Sequence, residues 1–415
     1  MITRRAFGRY VLAACGASLT KPLVAAPAQG VAQILDDAVS RRLAAGYSAY
    51  LGRGGQHRTF VAGVQDLSTR VPMRPDTIFR VASITKPVVA AAAMILVDEG
   101  KIGLQSPIDR WLPELANRKV VRSFTGPIDD VVPASRRITL HDLLTMQMGL
   151  GAIFASPDSS PFLKKFSDLG VAPGPTLFSG TSQDFLDRLS SLPLAYHPGE
   201  RWLYHTGMEV AGILAARIAG QPLSEFLEER LTGPLGMADT GFFVPHSKSH
   251  RLATLYQGGA GGQLHQDSAA GELSKPPAME SGGGGLVSTA SDLGRFGQML
   301  LEDGRFGRNQ ILSSQSVRMM CSDQIGPDVK GASPFFPGFW DSYGWGLGMA
   351  VSKRPDAISK PGRTGWWGGT GTTLFLDPHS GTVAVLLSQS MMRSPDDTAV
   401  SNAFLEAAFS PAPVG

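Results

Sequence analysis

Ser83 and Lys86 stand three residues apart in Ser-Ile-Thr-Lys, at the head of an apolar run that continues past the alanines at 90–93. On a helix, that spacing puts both side chains on one face, one turn apart. A serine hydroxyl becomes a useful nucleophile only when a base accepts its proton. A lysine in apolar surroundings can be that base, because desolvation disfavours the charged amine. A helix start also supplies amide donors for a developing oxyanion. The plain alternative is a lysine that lays its stem on apolar surface and sends its ammonium to water. The same pattern recurs at Ser18-Leu19-Thr20-Lys21, so spacing alone does not choose between the two.

Two further stretches carry chemistry of the same kind. In Tyr-His-Pro-Gly-Glu-Arg-Trp-Leu-Tyr, 196–204, Pro198-Gly199 marks a turn and Trp202 an anchor, and Tyr204 falls just before a predicted helix. A phenol beside a cationic amine can shuttle a proton; otherwise Tyr204 is a half-buried core tyrosine. In the glycine-rich 362–378, a strand without side chains could approach a substrate and offer a backbone N–H; otherwise the segment is a turn-rich hairpin. No Gly-x-Ser-x-Gly is present, which argues against a nucleophile elbow. His246 and His250 lack the intervening Glu of a His-Glu-x-x-His metal site. His141, His197 and His205 read as structural, His205 being the one whose neighbour is Tyr204. No metal or cofactor is called for.

The elements that must position these residues follow from periodicity. Strands are expected at 47–53 and 58–63 around Gly54-Gly55, and at 372–376 and 382–388 around a Pro/Gly turn. Helices are expected at 31–44 and 398–409, next to those strands. The middle reads as helical at 85–99, 140–146, 182–189, 208–219, 223–231 and 290–301. Long Gly/Pro/Ser loops at 155–180, 258–285 and 324–341 suit lids or cleft walls. Both chain ends therefore belong to one antiparallel sheet with flanking helices, and an all-helical part is inserted between them. In numbers, a sheet subdomain covers about 29–82 plus 282–412 and a helical subdomain about 83–281.

Residues 1–28 read as an export leader: Thr3-Arg4-Arg5, then Phe7, a mild apolar stretch, Lys21 and the small-x-small site Ala26-Pro27-Ala28. Thr-Arg-Arg-x-Phe resembles a bacterial twin-arginine signal, which implies a periplasmic or secreted protein. Leu12-Ala13-Ala14-Cys15 is a rival lipoprotein box. A cut at residue 28 removes four positive charges and no acid, so the net charge goes from +3 to −1. The remainder, 29–415, has no charge that would favour nucleic acid or an anionic membrane. The leader's apolar run is too short for stable membrane insertion. Only Cys321 remains, so no internal disulfide can form.

Taken in order, Ser-x-x-Lys at 83–86, Pro-Gly-Glu-x-Trp-x-Tyr ending at 204, Gly-Gly-Leu-Val-Ser-Thr ending at 289 and the terminal glycine-rich strand resemble the serine β-lactamase and penicillin-binding superfamily. The likeness is to its class C-like branch with the family VIII esterases, and it runs from about Gln33 to Phe409. It implies an α/β (α+β) β-lactamase/transpeptidase-like fold. It also implies an acylated nucleophile, Ser83, with Lys86 and Tyr204 as the base pair. Where relatives carry Tyr-x-Asn this chain has Tyr204-His205-Thr206, which leaves Thr206 as a candidate substrate contact. The family's Lys-Thr-Gly is absent. Arg363-Thr364-Gly365 mimics it but lies too far upstream, and the matching triplet is Trp366-Trp367-Gly368. On that register Gly369 supplies the second oxyanion-hole amide beside that of Ser83, whereas a literal Trp-Gly-Gly match gives the role to Thr370. An apolar pocket with Trp366, Trp367 and, as candidates, Trp340, Tyr343 and Trp345 favours a neutral small-molecule ester or acyl substrate. The expected activity is an exported serine hydrolase of esterase type. The alternatives are a β-lactamase, D-aminopeptidase or DD-peptidase, an acyltransferase, and a non-catalytic binding or sensor protein on this fold.

Overall fold

Gly54 and Gly55 both have positive φ, +59° and +77°. They close a two-residue hairpin between β1 (Gly46–Arg53) and β2 (Gln56–Gly63), with Arg53 opposite Gln56. Paired positive φ angles suit the twist of the flanking strands, and glycine reaches them without penalty. In the computed structural model, residues 25–410 are described apart from 154, 175, 259–262, 267–272 and 356–359. The twin arginine and Cys15 lie outside the described residues.

β1 and β2 form one edge of a seven-stranded antiparallel sheet whose other strands all come from the far end of the chain. These are β3 (Tyr343–Trp345), β4 (Ala350–Ser352), β5 (Thr364–Gly368), β6 (Thr372–Asp377) and β7 (Thr382–Ser388). Their order is β3-β4-β5-β6-β7-β1-β2. The seam between the two chain ends runs from Tyr47 opposite Ser388 to Arg53 opposite Thr382. The expected strands at both ends are thus present, each within two residues of its predicted limits.

Successive strand residues point to opposite faces, and the contacts divide accordingly. Thr373 hydrogen-bonds Ser401 of α5 (Ala399–Phe409), which packs with α1 (Ala25–Ser40) on one face. Leu376 and Val383 meet Gly297 of α4 (Ala290–Leu301) on the other. α1 starts at Ala25, earlier than the predicted 31 and across the predicted cleavage position.

Between the two parts of the sheet lie α2 (Thr85–Asp98) and α3 (Thr206–Ala219), which pack on each other. α2 is buried on every side from Thr85 to Leu96, as expected of a helix that is apolar all round. The expected helix at 223–231 ends at Leu227 and passes into a wider π-type turn, Glu228–Thr232, ahead of Pro234. The predicted loops are not bare: 155–180 carries the helix Pro161–Asp168, and 324–341 the turn Pro327–Gly331.

The Arg363 expected to lie upstream of the site is a core residue. Its guanidinium is 3.0 Å from Asp377, with side-chain exposures of 2 % and 0 %, and lies 4.1 Å over the Phe409 ring. Burial works against ionisation of Asp377, but Ser380, Arg363 and the His379 N–H hold its pKa below the usual carboxylate range. Neutralising one partner leaves the other charge buried alone. Asp377→Asn should therefore lower the unfolding free energy by about 3 kcal/mol in urea denaturation, without moving the residues of the site described next.

Candidate active site

Ser83 sits in a tight turn, Ala82–Ile84, that runs into α2. Ala82 holds a φ of +44°, a region where residues with a Cβ are uncommon. This turn presents the serine at the start of the helix, and Lys86 follows in the first helical turn. Lys86 Nζ is 2.7 Å from Ser83 Oγ and 2.6 Å from the Gly283 carbonyl oxygen. The Tyr204 hydroxyl, on the lead-in to α3, donates to the same Ser83 Oγ at 2.7 Å. Its ring lies under the amine, 4.4 Å from Nζ to the ring centre. The indole N–H of Trp366, on β5, donates to the Tyr204 oxygen at 2.8 Å.

The amine is completely buried. Desolvation pulls its pKa down to about 7, against the upward pull of the Glu209 charge. The Tyr204 phenol moves the other way: burial raises its pKa well above the ordinary tyrosine range, although its bonds with Ser83 and Trp366 oppose this. Burial first, and the Lys86 charge second, push His205 well below its usual pKa. Near neutral pH the site therefore contains an amine that can be free of its proton, beside a phenol that keeps its own.

Two glycines explain how the sheet reaches the serine. A Cβ on Gly368 would fall 2.2 Å from Thr372 Oγ1, 2.5 Å from the Val81 oxygen and 3.4 Å from the Ser83 nitrogen. The end of β5 is thus pressed against the nucleophile's own amide. The three-residue loop Gly369-Thr370-Gly371 then turns the chain, with Gly371 at φ +75°, the left-handed residue such loops require. Gly369 is at the exposed tip, with nothing within 4 Å of where its side chain would be.

These features meet the conditions for acyl transfer: a hydroxyl, a base in contact with it, a protonated phenol and amides at a helix start beside an open strand tip. The Beta-lactamase family model matches residues 31–408. This chain belongs to that family. Rv1367c of Mycobacterium tuberculosis (strain ATCC 25618 / H37Rv) is 39 % identical over 334 residues, 79 % of this chain and 81 % of that protein. Esterase EstB of Burkholderia gladioli is 30 % identical over 378 residues, covering 86 % of this chain and 88 % of its own length. Among solved structures, EstCE1, a hydrolase with promiscuous acyltransferase activity, superposes with a TM-score of 0.78 over 93 % of this chain and 99 % of that one, at 24 % identity. The fold is the β-lactamase/transpeptidase fold, as the motif order implied.

Within that family framework the structure converges Ser83, Lys86, Tyr204 and Trp366 and brings Gly368 against Ser83. Other sequence candidates fall elsewhere. Trp367 turns from the site, as a strand neighbour of Trp366 must, and packs on Phe375 and Tyr343 with ring centres 4.6 and 5.5 Å apart. Thr370 uses its hydroxyl to hold the Arg80 carbonyl at 2.7 Å and is buried. Thr206 is the first residue of α3 and 1 % exposed, so its side chain is withheld from a substrate arriving from solvent. Trp345 is core, with no exposed surface, and Tyr343 nearly so. Trp340 is half-buried and bonds the Ser333 carbonyl at 2.5 Å. His246 and His250 belong to no metal-binding group, and none was found among the described residues.

Sequence reasoning missed three residues that matter here. Phe335, half-buried, lies 5.7 Å from the Tyr204 ring and 6.4 Å from Trp366 between ring centres. Leu177 is 41 % exposed and reaches within 3.7 Å of the Cβ position of Gly284, beside Ala82. Both occupy loops whose length alone had marked them as cleft walls. Glu209, buried in the first turn of α3, is the third, and no spacing or motif marked it.

The two glycines make opposite predictions. Gly368→Ala should force β5 off the Ser83 amide and slow fluorophosphonate labelling of Ser83 roughly 10²-fold, the scale of losing one oxyanion donor. Gly369→Ala, with open space around it, should label at close to the native rate. Labelling rates by intact mass, with thermal melts as the folding control, measure both.

Proposed function

We propose that the protein is an exported serine hydrolase that cleaves carboxylic esters through an acyl-enzyme on Ser83. The observation that carries this reading is the Ser83 oxygen held at 2.7 Å by both Lys86 and Tyr204. With the amine neutral, Ser83 O–H can give its proton to the Lys86 lone pair while Oγ attacks the ester carbonyl. The Ser83 and Gly369 amides would take the oxyanion. As the tetrahedral adduct collapses, the carbon–oxygen bond to the leaving group breaks. The departing alkoxide then receives the proton, directly from Lys86 or through the Tyr204 hydroxyl. Water enters by the reverse proton path and releases the acid and free Ser83, so an ester and water become an acid and an alcohol.

The preference for esters rests on Trp366. It faces Tyr204 as a neutral group that can only donate, where a cation would grip the carboxylate of a penicillin-type lactam. Phe335 and Leu177 add apolar surface nearby. The relationship to esterase EstB supports the same reading. Acyl transfer differs only in the entering nucleophile, an alcohol in place of water, and the likeness to EstCE1 keeps it within reach. Export rests on the twin-arginine pattern at Arg4-Arg5, and periplasmic activity of the full-length chain, lost on Arg4→Lys/Arg5→Lys, is its expected signature.

Short-chain p-nitrophenyl esters should be hydrolysed and Ser83→Ala should abolish turnover; native rates in that variant refute the proposal. Nitrocefin should be a much poorer substrate, and efficient turnover of it would place the activity with the lactamases instead. Below the Lys86 pKa the amine is protonated and cannot act as base, so kcat/KM should rise with pH through an acid limb near the value of about 7. A profile flat from pH 5 to 9 would remove Lys86 from that role.

A further inference from the structure

The base is held from behind by a second set of residues, on α3 and on the turn that leads into Gly-Gly-Leu-Val-Ser-Thr. Among the described residues, Lys86 Nζ has one acceptor besides Ser83, the Gly283 carbonyl at 2.6 Å. That carbonyl belongs to the turn 281–285, Ser-Gly-Gly-Gly-Gly. Nothing in a four-glycine turn fixes its own conformation, since glycine is the most permissive residue. Its order comes from α3. The Ser281 hydroxyl donates to Glu209 Oε1 at 2.7 Å and accepts from the Gly284 N–H at 3.1 Å.

The glycines are what allow this. A Cβ on Gly283 would lie 2.4 Å from Glu209 Oε1 and 2.6 Å from His205 Nδ1. One on Gly282 would lie 2.4 Å from the Met208 oxygen and 3.1 Å from Gly212 Cα. The turn is pressed against the helix backbone with the carboxyl group filling the gap. Glu209 is buried, 8 % exposed, and Oε2 has no hydrogen-bond partner. Glu209 lies in the first turn of α3, where the helix dipole favours a negative charge, yet burial still makes its carboxyl costly; its contacts run to the turn and, at 3.8 Å, to His205 Nδ1.

We propose that Glu209 is a positioning residue for the Lys86 base: it locks the Ser281–Gly283 turn so that the Gly283 carbonyl aims the amine at Ser83. This deepens the esterase reading and rests on it. The groups that face Lys86 are few. Ser83 comes from its own helix start, and Tyr204, His205 and Glu209 come from α3 and its lead-in. The Gly283 carbonyl comes from the turn. Trp366 acts only through Tyr204. His205 is kept neutral by its burial and by the amine. Burial raises the Glu209 pKa, and its bond with Ser281 and the Lys86 charge oppose that; ionised, Glu209 is the carboxylate of the set. Its effect on Lys86 is upward, against desolvation.

The test uses two readouts on the full chain: p-nitrophenyl ester turnover, and the rate of Ser83 labelling by a fluorophosphonate, each from pH 5 to 9. Glu209→Gln keeps an acceptor oxygen for the turn and removes the charge. It should move the acid limb of both profiles to lower pH by about one unit, as expected for loss of a nearby opposite charge. Glu209→Ala removes the lock as well and should cut kcat and the labelling rate at pH 8 by more than tenfold, with KM little changed. Native limbs and rates in both folded variants overturn the proposal. If thermal melts show that the Glu209 variants do not fold, Ser281→Ala takes their place. It should lower both rates about threefold, the scale of one modest hydrogen bond, and native rates in it overturn the proposal. The two readings part cleanly. Wild-type protein that labels at Ser83 but hydrolyses no ester refutes the esterase reading while the labelling profiles still judge Glu209. Wild-type protein that neither labels nor hydrolyses refutes both.

Discussion

An amine sealed in a protein core must either be paired or give up its proton, and Lys86 is sealed completely. The surrounding structure answers to that constraint. α2 is apolar on every side, so the ammonium has no route along its own helix to water. The groups in hydrogen-bond contact with the amine are a hydroxyl and a backbone carbonyl, which tolerate a neutral amine as readily as a charged one. Had a carboxylate been placed in direct contact, the charged form would have been favoured and the base lost. Glu209 is held one layer further away, with its own contacts to the turn.

Tyr204 is governed by the converse rule. A buried phenol keeps its proton unless a cation or a set of donors stabilises the phenolate. Trp366 supplies one N–H and no charge. Because indole can only donate, the Tyr204 oxygen is occupied as an acceptor and its O–H is left to point at Ser83. When the amine is neutral and takes the Ser83 proton, the order indole to phenol to serine to amine to carbonyl has a single direction. A change at the indole is thus transmitted to the serine through the phenol, without any contact between the first and the third. The aromatic cluster behind, in which Trp345 and Trp366 meet edge to face at 4.7 Å, holds the indole in place.

How much of this could be read in the sequence depends on distance along the chain. Ser83 and Lys86 were legible because helix geometry alone brings them together. The strands at both ends were legible because Gly54-Gly55 and the turn after Asp377 punctuate alternating runs. Register against the family's Lys-Thr-Gly picked out Trp366 and Trp367 together, the alternative Trp-Gly-Gly match gave Thr370, and the Tyr-x-Asn position gave Thr206; a motif match fixes the place of a residue on the chain, whereas neighbouring strand residues point to opposite faces. Glu209 and Ser281 carry no pattern at all. Their relationship exists only because α3 and a distant turn pack so tightly that glycine is required between them. Phe335 and Leu177 lie in loops, where side-chain direction follows from tertiary contacts that periodicity does not encode.

The seam between β1 and β7 joins residues that are never nearer along the chain than Arg53 and Thr382, 329 positions apart. A nascent chain emerging from the ribosome therefore holds β1 and β2 as an isolated hairpin, with no neighbour for its inner edge, until β7 has been made. Such a hairpin is marginal by itself, and closing so long a loop before any reward makes for slow assembly. Completion of the sheet is in effect a check that synthesis has passed β7. Truncation anywhere before β7 would leave an unpaired strand edge exposed, a ready target for chaperones and proteases.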